Sequence, residues 1–132
     1  MASYRELIVW QRAMELVPAV YLVARNLPAQ ERYALSDQLR RSAVSVPANI
    51  AEGQGRQHRR QFMHALMIAR GSLAEVDTLL EIAVRLGYVS IDLTRPANAL
   101  VVSTGQLLER LIAHLKSKPD PPRRSQRTTG NG

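Results

Sequence analysis

The most regular hydrophobic pattern of this chain lies in residues 58–86, HRRQFMHALMIARGSLAEVDTLLEIAVRL. Its apolar residues recur at alternating steps of four and three positions: Phe62, Leu66, Ala69, Leu73, Val76, Leu80 and Ala83. These steps place the side chains on one face of an α-helix. The pattern predicts a helix over about residues 58–86. Gly87 follows it as a residue suited to the left-handed conformation after a helix.

A second predicted helix precedes this one, over about residues 33–52. Its apolar stripe consists of Leu35, Leu39, Ala43, Val46 and Ile50. Pro47 lies within the helix and is expected to bend it, because proline lacks the N–H that the carbonyl of Ala43 would otherwise accept. Gly53 and Gly55 are expected to end the helix.

The first and fourth predicted helices carry wide apolar faces. The first has two adjacent stripes at helical spacing: Leu7, Trp10, Met14, Val17, Tyr21 and Ala24, beside Val9, Ala13, Leu16, Val20, Val23 and Leu27. Ser3 and Glu6 form a capping box before it, and Pro18 is expected to kink it. The fourth, over about residues 93–115, has the stripe Ala97, Leu100, Thr104, Leu107 and Leu111, widened by Val101, Leu108, Ile112 and Leu115.

Short connections between these helices predict an all-α fold, an antiparallel up-down-up-down four-helix bundle over residues 1–116. Residues 117–132 contain no apolar residue and are rich in Pro, Arg, Ser, Thr and Gly, so we expect a disordered basic tail. An isolated bundle needs one buried stripe per helix. The wider faces of the first, third and fourth helices therefore predict association into a homo-oligomer.

The composition excludes several classes of protein. Cysteine is absent, which excludes disulfide-stapled secreted domains and thiolate chemistry. The N-terminal stretch lacks the pattern of a signal peptide, and no apolar run approaches the ~18–20 residues of a membrane span. We therefore expect a cytoplasmic protein with no membrane partner.

Positive charge is concentrated in two parts of the chain, which has 18 Lys and Arg against 11 Asp and Glu. Residues 40–70 hold six Arg against Glu52 alone, and residues 116–132 hold five Lys and Arg against one Asp. Such asymmetry indicates a polyanionic partner. The candidate nucleic-acid-binding residues are Arg40, Arg41, Arg56, Arg59, Arg60, Arg123 and Arg124. With one Trp, four Tyr and one Phe in the chain, contact with the phosphate backbone is favoured over base stacking.

A polar stripe runs along the second helix beside its apolar one, formed by Arg41, Ser45, Asn49 and Glu52. We interpret Ser45, Asn49 and Glu52, together with Glu75 of the third helix, as a structural polar network. In it Asn49 donates to carbonyls that Pro47 leaves without a donor, and Glu52 pairs with an arginine. The alternative is a functional polar site that recurs around an oligomer.

The glycines of the second and third helices have two interpretations each. Gly71, inside the third helix, suggests a close contact with the second helix near Ala43 or Ala51. Gly53 and Gly55 are a cap and turn. Alternatively, they form a phosphate-binding loop before the helix N-terminus that follows at about residue 57.

Catalytic patterns are weak. Arg59 and His64 have the Arg-x4-His spacing of some metal-independent helical ribonucleases, which is one alternative function. No histidine pair has metal-ligand spacing, no Glu-x-x-His occurs, and no Walker or dinucleotide fingerprint is present. We expect no enzyme activity, no metal and no cofactor.

Five ordered segments of the chain resemble a known family: Leu7-Ile-Val-Trp-Gln11, Leu27-Pro-Ala-Gln-Glu-Arg-Tyr33, Gln38-Leu-Arg-Arg41, Ser45-Val-Pro-Ala-Asn-Ile-Ala-Glu-Gly53 and Ile68-Ala-Arg-Gly-Ser-Leu-Ala-Glu75. The chain is similar over residues 4–116 to the bacterial four helix bundle proteins, also called 23S rRNA-intervening-sequence proteins. The resemblance implies an antiparallel bundle that assembles as a ring of five identical subunits. Pro18 and the basic tail are not part of the family pattern.

The function that the resemblance implies is binding rather than catalysis. The family is related to accessory proteins of diversity-generating retroelements, which are basic rings that bind nucleic acid and partner a reverse transcriptase. No enzymatic activity is established for the family itself. We therefore expect a non-enzymatic homo-oligomer that binds RNA or DNA backbones, with a reverse transcriptase as a further partner. The main alternative is a protein-interaction scaffold whose basicity is incidental.

Overall fold

The structure of the protein is a computed structural model that describes residues 3–119. Four long helices account for most of this range: α1 (Ile8–Arg25), α2 (Leu35–Gly55), α3 (Arg59–Arg85) and α4 (Ile91–Ser117). Short 3-10 turns at Tyr4–Glu6 and Ala29–Glu31 precede α1 and α2. No strand occurs within residues 3–119, and none of the helices there has the length and apolar character needed to cross a bilayer.

Two contacts between α2 and α3 show that these helices run antiparallel. On α2 and α3, Gln38 donates to Glu75 (3.5 Å), and the Ser45 and Ser72 hydroxyl oxygens lie 2.8 Å apart, so one residue number rises as the other falls. Each helix packs against the next one in the chain, and α4 returns to pack against α1. The predicted all-α, up-down-up-down four-helix bundle is confirmed.

The core lies along one stripe of each helix. On α1 the buried stripe is the second of the two predicted ones, from Val9 to Leu27. On α4 the predicted face is confirmed in part. Ala97 and Thr104 of the predicted stripe are buried, as are the four residues predicted to widen it, whereas Leu100, Leu107 and Leu111 are only half-buried. The buried residues of α4 are Thr94, Ala97, Val101, Thr104, Leu108, Ile112 and Leu115.

Two helix ends differ from the sequence-based expectation. The predicted capping of α1 by Ser3 is wrong, because Ser3 accepts the N–H of Arg5 within a separate 3-10 turn and α1 begins only at Ile8. Of the two glycines expected to end α2, Gly55 is its last residue, as predicted, whereas the prediction for Gly53 is wrong, since Gly53 lies inside the helix. By contrast, Gly87 follows α3 with φ +75°, as expected.

The end of α3 is a Schellman motif. The N–H of Gly87 donates to the carbonyl of Val84 (2.9 Å), and the N–H of Tyr88 donates to the carbonyl of Ala83 (3.0 Å). This arrangement turns the chain toward α4, which Ser90 caps by accepting the N–H of Leu93 (3.2 Å). Residues 120–132 lie outside the described residues, so the predicted disordered tail, with Arg123 and Arg124, stays a prediction.

Candidate nucleic-acid interface

The antiparallel arrangement gives the bundle two ends with different charged residues. One end contains the end of α2, the start of α3 and the end of α4. We call it the basic end and define it by Arg56, Arg59, Arg60, Lys116 and Lys118. The other, which we call the opposite end, contains the α1–α2 and α3–α4 connections, residues 26–34 and 86–90.

The arginines of residues 40–60 do not form one surface. Arg40 and Arg41 lie on the second turn of α2, whereas Arg56 directly follows the last turn of that helix. At 1.5 Å per residue, Arg41 and Arg56 are separated by roughly 22 Å along the helix axis. The set of arginines proposed from the sequence is therefore split between the two halves of the bundle.

The side chain of Arg59 joins the start of α3 to the end of α4. Its Nη1 donates to the carbonyl oxygens of Leu115 (3.4 Å) and Pro119 (3.2 Å), and also contacts that of Lys118. A cation is favoured at this position because the last carbonyls of a helix are partly negative and lack intrahelical donors. Arg59 thus brings Lys116 and Lys118, at the end of α4, close to the arginines at the start of α3.

Two shallow hollows lie on either side of Arg59. The first, with a volume of about 390 Å³, is lined by Arg59, Arg60, Met63, His64, Leu115 and Lys116. The second, of about 280 Å³, is lined by Gln54, Arg56, Gln57, His58, Arg59, Phe62, Leu115 and Lys118. Each hollow is lined by both apolar and cationic side chains.

The cations of the basic end differ in their partners. Arg56 forms an ion pair with Glu52 (2.8 Å), in which both side chains are more than half exposed. Within residues 3–119, no ion pair involves Arg60, Lys116 or Lys118. These three charges are therefore available to an external anion.

The polar stripe of α2 divides into separate contacts. Asn49 donates to the carbonyl (2.8 Å) and hydroxyl (3.0 Å) oxygens of Ser45, whose hydroxyl lies 2.8 Å from that of Ser72. Asn49 thus bonds the carbonyl of Ser45 rather than that of Ala43. Glu52 pairs with Arg56 outside this cluster. Ser72 was missed from the sequence, because only the register of α2 against α3 reveals it.

The remaining members of the predicted stripe and network make exposed contacts. Arg41 pairs with Asp37 one turn earlier on α2 (3.6 Å). Glu75 accepts a long hydrogen bond from Gln38 (3.5 Å) and does not join Ser45 and Asn49. Exposed pairs of this kind contribute little to stability.

At Gly53, α2 lies in close contact with α3. A Cβ atom at Gly53 would lie 2.5 Å from the Cβ of Ala65 and 3.1 Å from Cδ1 of Phe62. At Gly71 a Cβ would meet nothing within 4 Å, so the close contact predicted there is wrong. Gly53 and Gly55 are both helical, which also contradicts the phosphate-binding loop considered from the sequence.

The histidines form no metal site. His58, His64 and His114 all belong to the basic half of the bundle, but within residues 3–119 no group of three or more His, Cys, Asp or Glu residues could hold a metal ion. Arg59 and His64 line the same hollow. The guanidinium of Arg59 is nevertheless directed to the end of α4, which is a structural role.

The outer stripe of α1 is an apolar surface that the single chain does not cover. We define it by Trp10, Met14, Val17 and Tyr21, of which Met14 is 44% and Tyr21 39% exposed. Tyr4 packs edge-on against Trp10 (5.2 Å between ring centroids) and shields that end of the stripe. The open part therefore extends from Met14 to Tyr21.

At the opposite end, the pKa of the Tyr88 hydroxyl is raised. Tyr88 donates its hydroxyl hydrogen to Glu31 (2.9 Å), which ties the two connections together. This hydrogen bond, followed by desolvation and the negative charge of Glu31, raises the pKa of Tyr88 above its ordinary value of 10.0.

Comparisons with known proteins agree with this architecture. The family model described as 23S rRNA-intervening sequence protein matches residues 5–110. A crystal structure of a protein of unknown function from the S23 ribosomal protein family of Bacteroides thetaiotaomicron superposes with a TM-score of 0.73 at 26% identity, over 80% of this chain and 98% of that chain. The comparison with curated proteins finds no match.

Proposed function

We propose that this chain, which belongs to the family of 23S rRNA-intervening sequence proteins, is a non-catalytic protein that binds the phosphate backbone of nucleic acid through the basic end. The observation that carries the proposal is the contact of Arg59 with the end of α4. Through it, residues 56 positions apart in the sequence contribute cations to one surface. Arg60, Lys116 and Lys118 on that surface have no ion pair within the described residues.

The chemistry of the basic end suits phosphates better than bases. Arginine and lysine neutralise phosphates and release condensed counterions, a contribution that does not depend on base sequence. The structure describes the chain as far as Pro119, whose carbonyl oxygen accepts a hydrogen bond from Arg59. Arg123 and Arg124 lie outside the described residues, and their place in the proposal rests on the charge of the sequence alone. Arg40 and Arg41, on the other half of α2, lie outside the basic end.

We also propose that the protein acts as a homo-oligomer, five subunits in number as the family resemblance implies. The outer stripe of α1 supports this, because a contiguous apolar surface on a small bundle is typical of a subunit interface. In a ring, each subunit would repeat the basic end and so multiply its field. A reverse transcriptase as partner is the narrowest form of the proposal and rests on the resemblance to retroelement accessory proteins.

The test is a binding measurement on the full chain with duplex DNA and structured RNA between about 50 and 200 mM salt. The double variant Arg60→Ala/Lys116→Ala removes two unpaired cations from the basic end. The matched control, Arg85→Ala/Arg95→Ala, removes two cations from the opposite end, each of which is exposed and ion-paired within its own helix. The double variant Arg123→Ala/Arg124→Ala measures how much these two arginines contribute to nucleic-acid binding.

We expect the wild type to lose affinity steeply with salt. The basic-end variant should reduce the slope of log affinity against log salt by about 1.8 for duplex DNA, at ~0.9 per phosphate contact, while the control changes it little. Equal effects of both variants would contradict a localised interface. Absence of binding at 50 mM salt would favour the scaffold alternative. The same RNA, if it is cleaved by the wild type and not by His64→Ala, would support the ribonuclease alternative.

A further inference from the structure

The opposite end of the bundle contains a second cluster of cations around a hollow of about 440 Å³. Three of the residues that line it are arginines, namely Arg25, Arg32 and Arg40. Ser36 also lines the hollow. The hollow is distinct from the basic end, because Arg40, its lining residue nearest to that end along α2, is separated from Arg56 by roughly 24 Å along the helix axis.

The arginines around this hollow come from three consecutive segments of the chain, and one of them also contacts the backbone. Arg25 is the last residue of α1, Arg32 follows the 3-10 turn of the connection, and Arg40 lies on the second turn of α2. Arg40 donates to the carbonyl of Arg32 (3.4 Å). Ser36 is 3% exposed and donates to the carbonyl of Ala24 (3.1 Å), which joins the end of α1 to the start of α2.

The carboxylates of this end are occupied elsewhere. Glu31 accepts hydrogen bonds from the N–H of Leu35 (3.3 Å) and the hydroxyl of Tyr88 (2.9 Å). Three other carboxylates pair with arginines outside the hollow: Asp37 with Arg41, Glu81 with Arg85, and Asp92 with Arg95.

As a result, no ion pair within residues 3–119 involves Arg25, Arg32 or Arg40. Arg25, Arg32 and Arg40 line one concave surface, where their like charges repel one another, and an anion in the hollow would remove this repulsion. The guanidinium carbon of Arg32 lies 5.8 Å from the centroid of the Tyr33 ring, a contact that an anion need not displace. The planar guanidinium groups also offer paired N–H donors that match the oxygens of a phosphate.

From this geometry we propose that the hollow formed by Arg25, Arg32, Arg40 and Ser36 binds a phosphate group. The phosphate comes either from a small molecule, such as pyrophosphate or a nucleotide, or from the backbone of a nucleic acid that reaches this end. Both sources present the same tetrahedral anion to the arginines. The site is independent of binding at the basic end.

Isothermal titration of the full chain with inorganic pyrophosphate, at constant ionic strength, tests the first source, and a short single-stranded RNA tests the second. The variant is Arg32→Ala, which changes an exposed side chain in a connection. The matched control is Arg85→Ala, which removes a paired cation from the same end. Far-UV circular dichroism of both variants confirms that the bundle is retained, and Arg32→Lys separates the guanidinium fork from the charge alone.

We expect Arg32→Ala to weaken pyrophosphate binding about tenfold, Arg32→Lys to weaken it by a smaller factor, and Arg85→Ala to leave it unchanged. If Arg32→Ala weakens RNA binding instead, the bound phosphate belongs to a backbone. If Arg32→Ala and Arg85→Ala have equal effects on both ligands, or neither has an effect, the proposal is wrong. Because Arg60 and Lys116 are intact in these variants, the result is independent of the basic end.

Discussion

Replacing Gly53 by alanine should separate two opposing effects of a methyl group in a helix. In an unconstrained helix, alanine is favoured over glycine by up to about 1 kcal/mol. At Gly53, however, the new Cβ would lie 2.5 Å from the Cβ of Ala65, which is 0.9 Å less than the 3.4 Å at which ordinary contact begins. Neither atom can rotate away, because both Cβ positions are set by the backbone.

The steric cost should exceed the gain in helix propensity. Overpacking of a buried contact typically costs about 1–3 kcal/mol, and here α2 and α3 must move apart along the interface that Ser45 and Ser72 also share. We expect Gly53→Ala to lower the free energy of unfolding by about 1–2 kcal/mol. The control is Gly71→Ala on α3, where a Cβ meets nothing within 4 Å, and it should raise that free energy by about 0.5–1 kcal/mol.

The assay is urea unfolding followed by far-UV circular dichroism, with all proteins at one concentration because any assembly makes stability concentration-dependent. The opposite signs of the two glycine variants are the decisive result. If Gly53→Ala is as stable as Gly71→Ala, the close approach of α2 and α3 at Gly53 is not what limits their packing.

Three other changes have defined outcomes. Leu66→Ala, at a fully buried position of α3, should lower the free energy of unfolding by about 2–5 kcal/mol in the same urea assay, and a cost below 1 kcal/mol would contradict its place in the core. Met14→Glu, on the outer stripe of α1, should reduce the sedimentation coefficient of any assembly while leaving helix content unchanged, whereas the control Gln11→Glu should not. The raised pKa of Tyr88 means that its contribution to stability is complete below pH 10 and is lost as pH rises through the higher folded value, so wild-type stability should fall more steeply above pH 10 than that of Tyr88→Phe. Parallel curves for these two proteins would contradict the hydrogen bond to Glu31.

Much of the fold could be predicted because helical periodicity is a local property. The stripe from Phe62 to Ala83 predicts α3 almost to its observed bounds, and Gly87 marks its end because the left-handed conformation after a helix favours glycine. At Gly53 the same local rule was wrong. There glycine serves contact with another helix, Ala65 lies too close for a side chain, and α2 continues for two more residues.

The candidate interface could be predicted only in part. Counting charges along the chain identified the arginines, but the count does not show how far apart their side chains lie in the folded bundle. Arg41 and Arg56 share a basic segment and lie far apart on the bundle, whereas Arg59 and Leu115 are distant in the chain and in contact. The cluster of Arg25, Arg32 and Arg40 was not found at all, because its members are interspersed with acidic residues such as Glu31 and Asp37.

The amino-acid sequence by itself determined the properties that depend on one segment at a time. These are the four helices, their apolar stripes, the Gly87 turn and the positive net charge. Only the tertiary structure determined the properties that depend on two segments. These are the contact of Ser45 with Ser72, the capping of α4 by Arg59, and the hollow between α1 and α2. The physical reason is that helix formation responds to neighbours within a turn, while electrostatics and steric contact act through space.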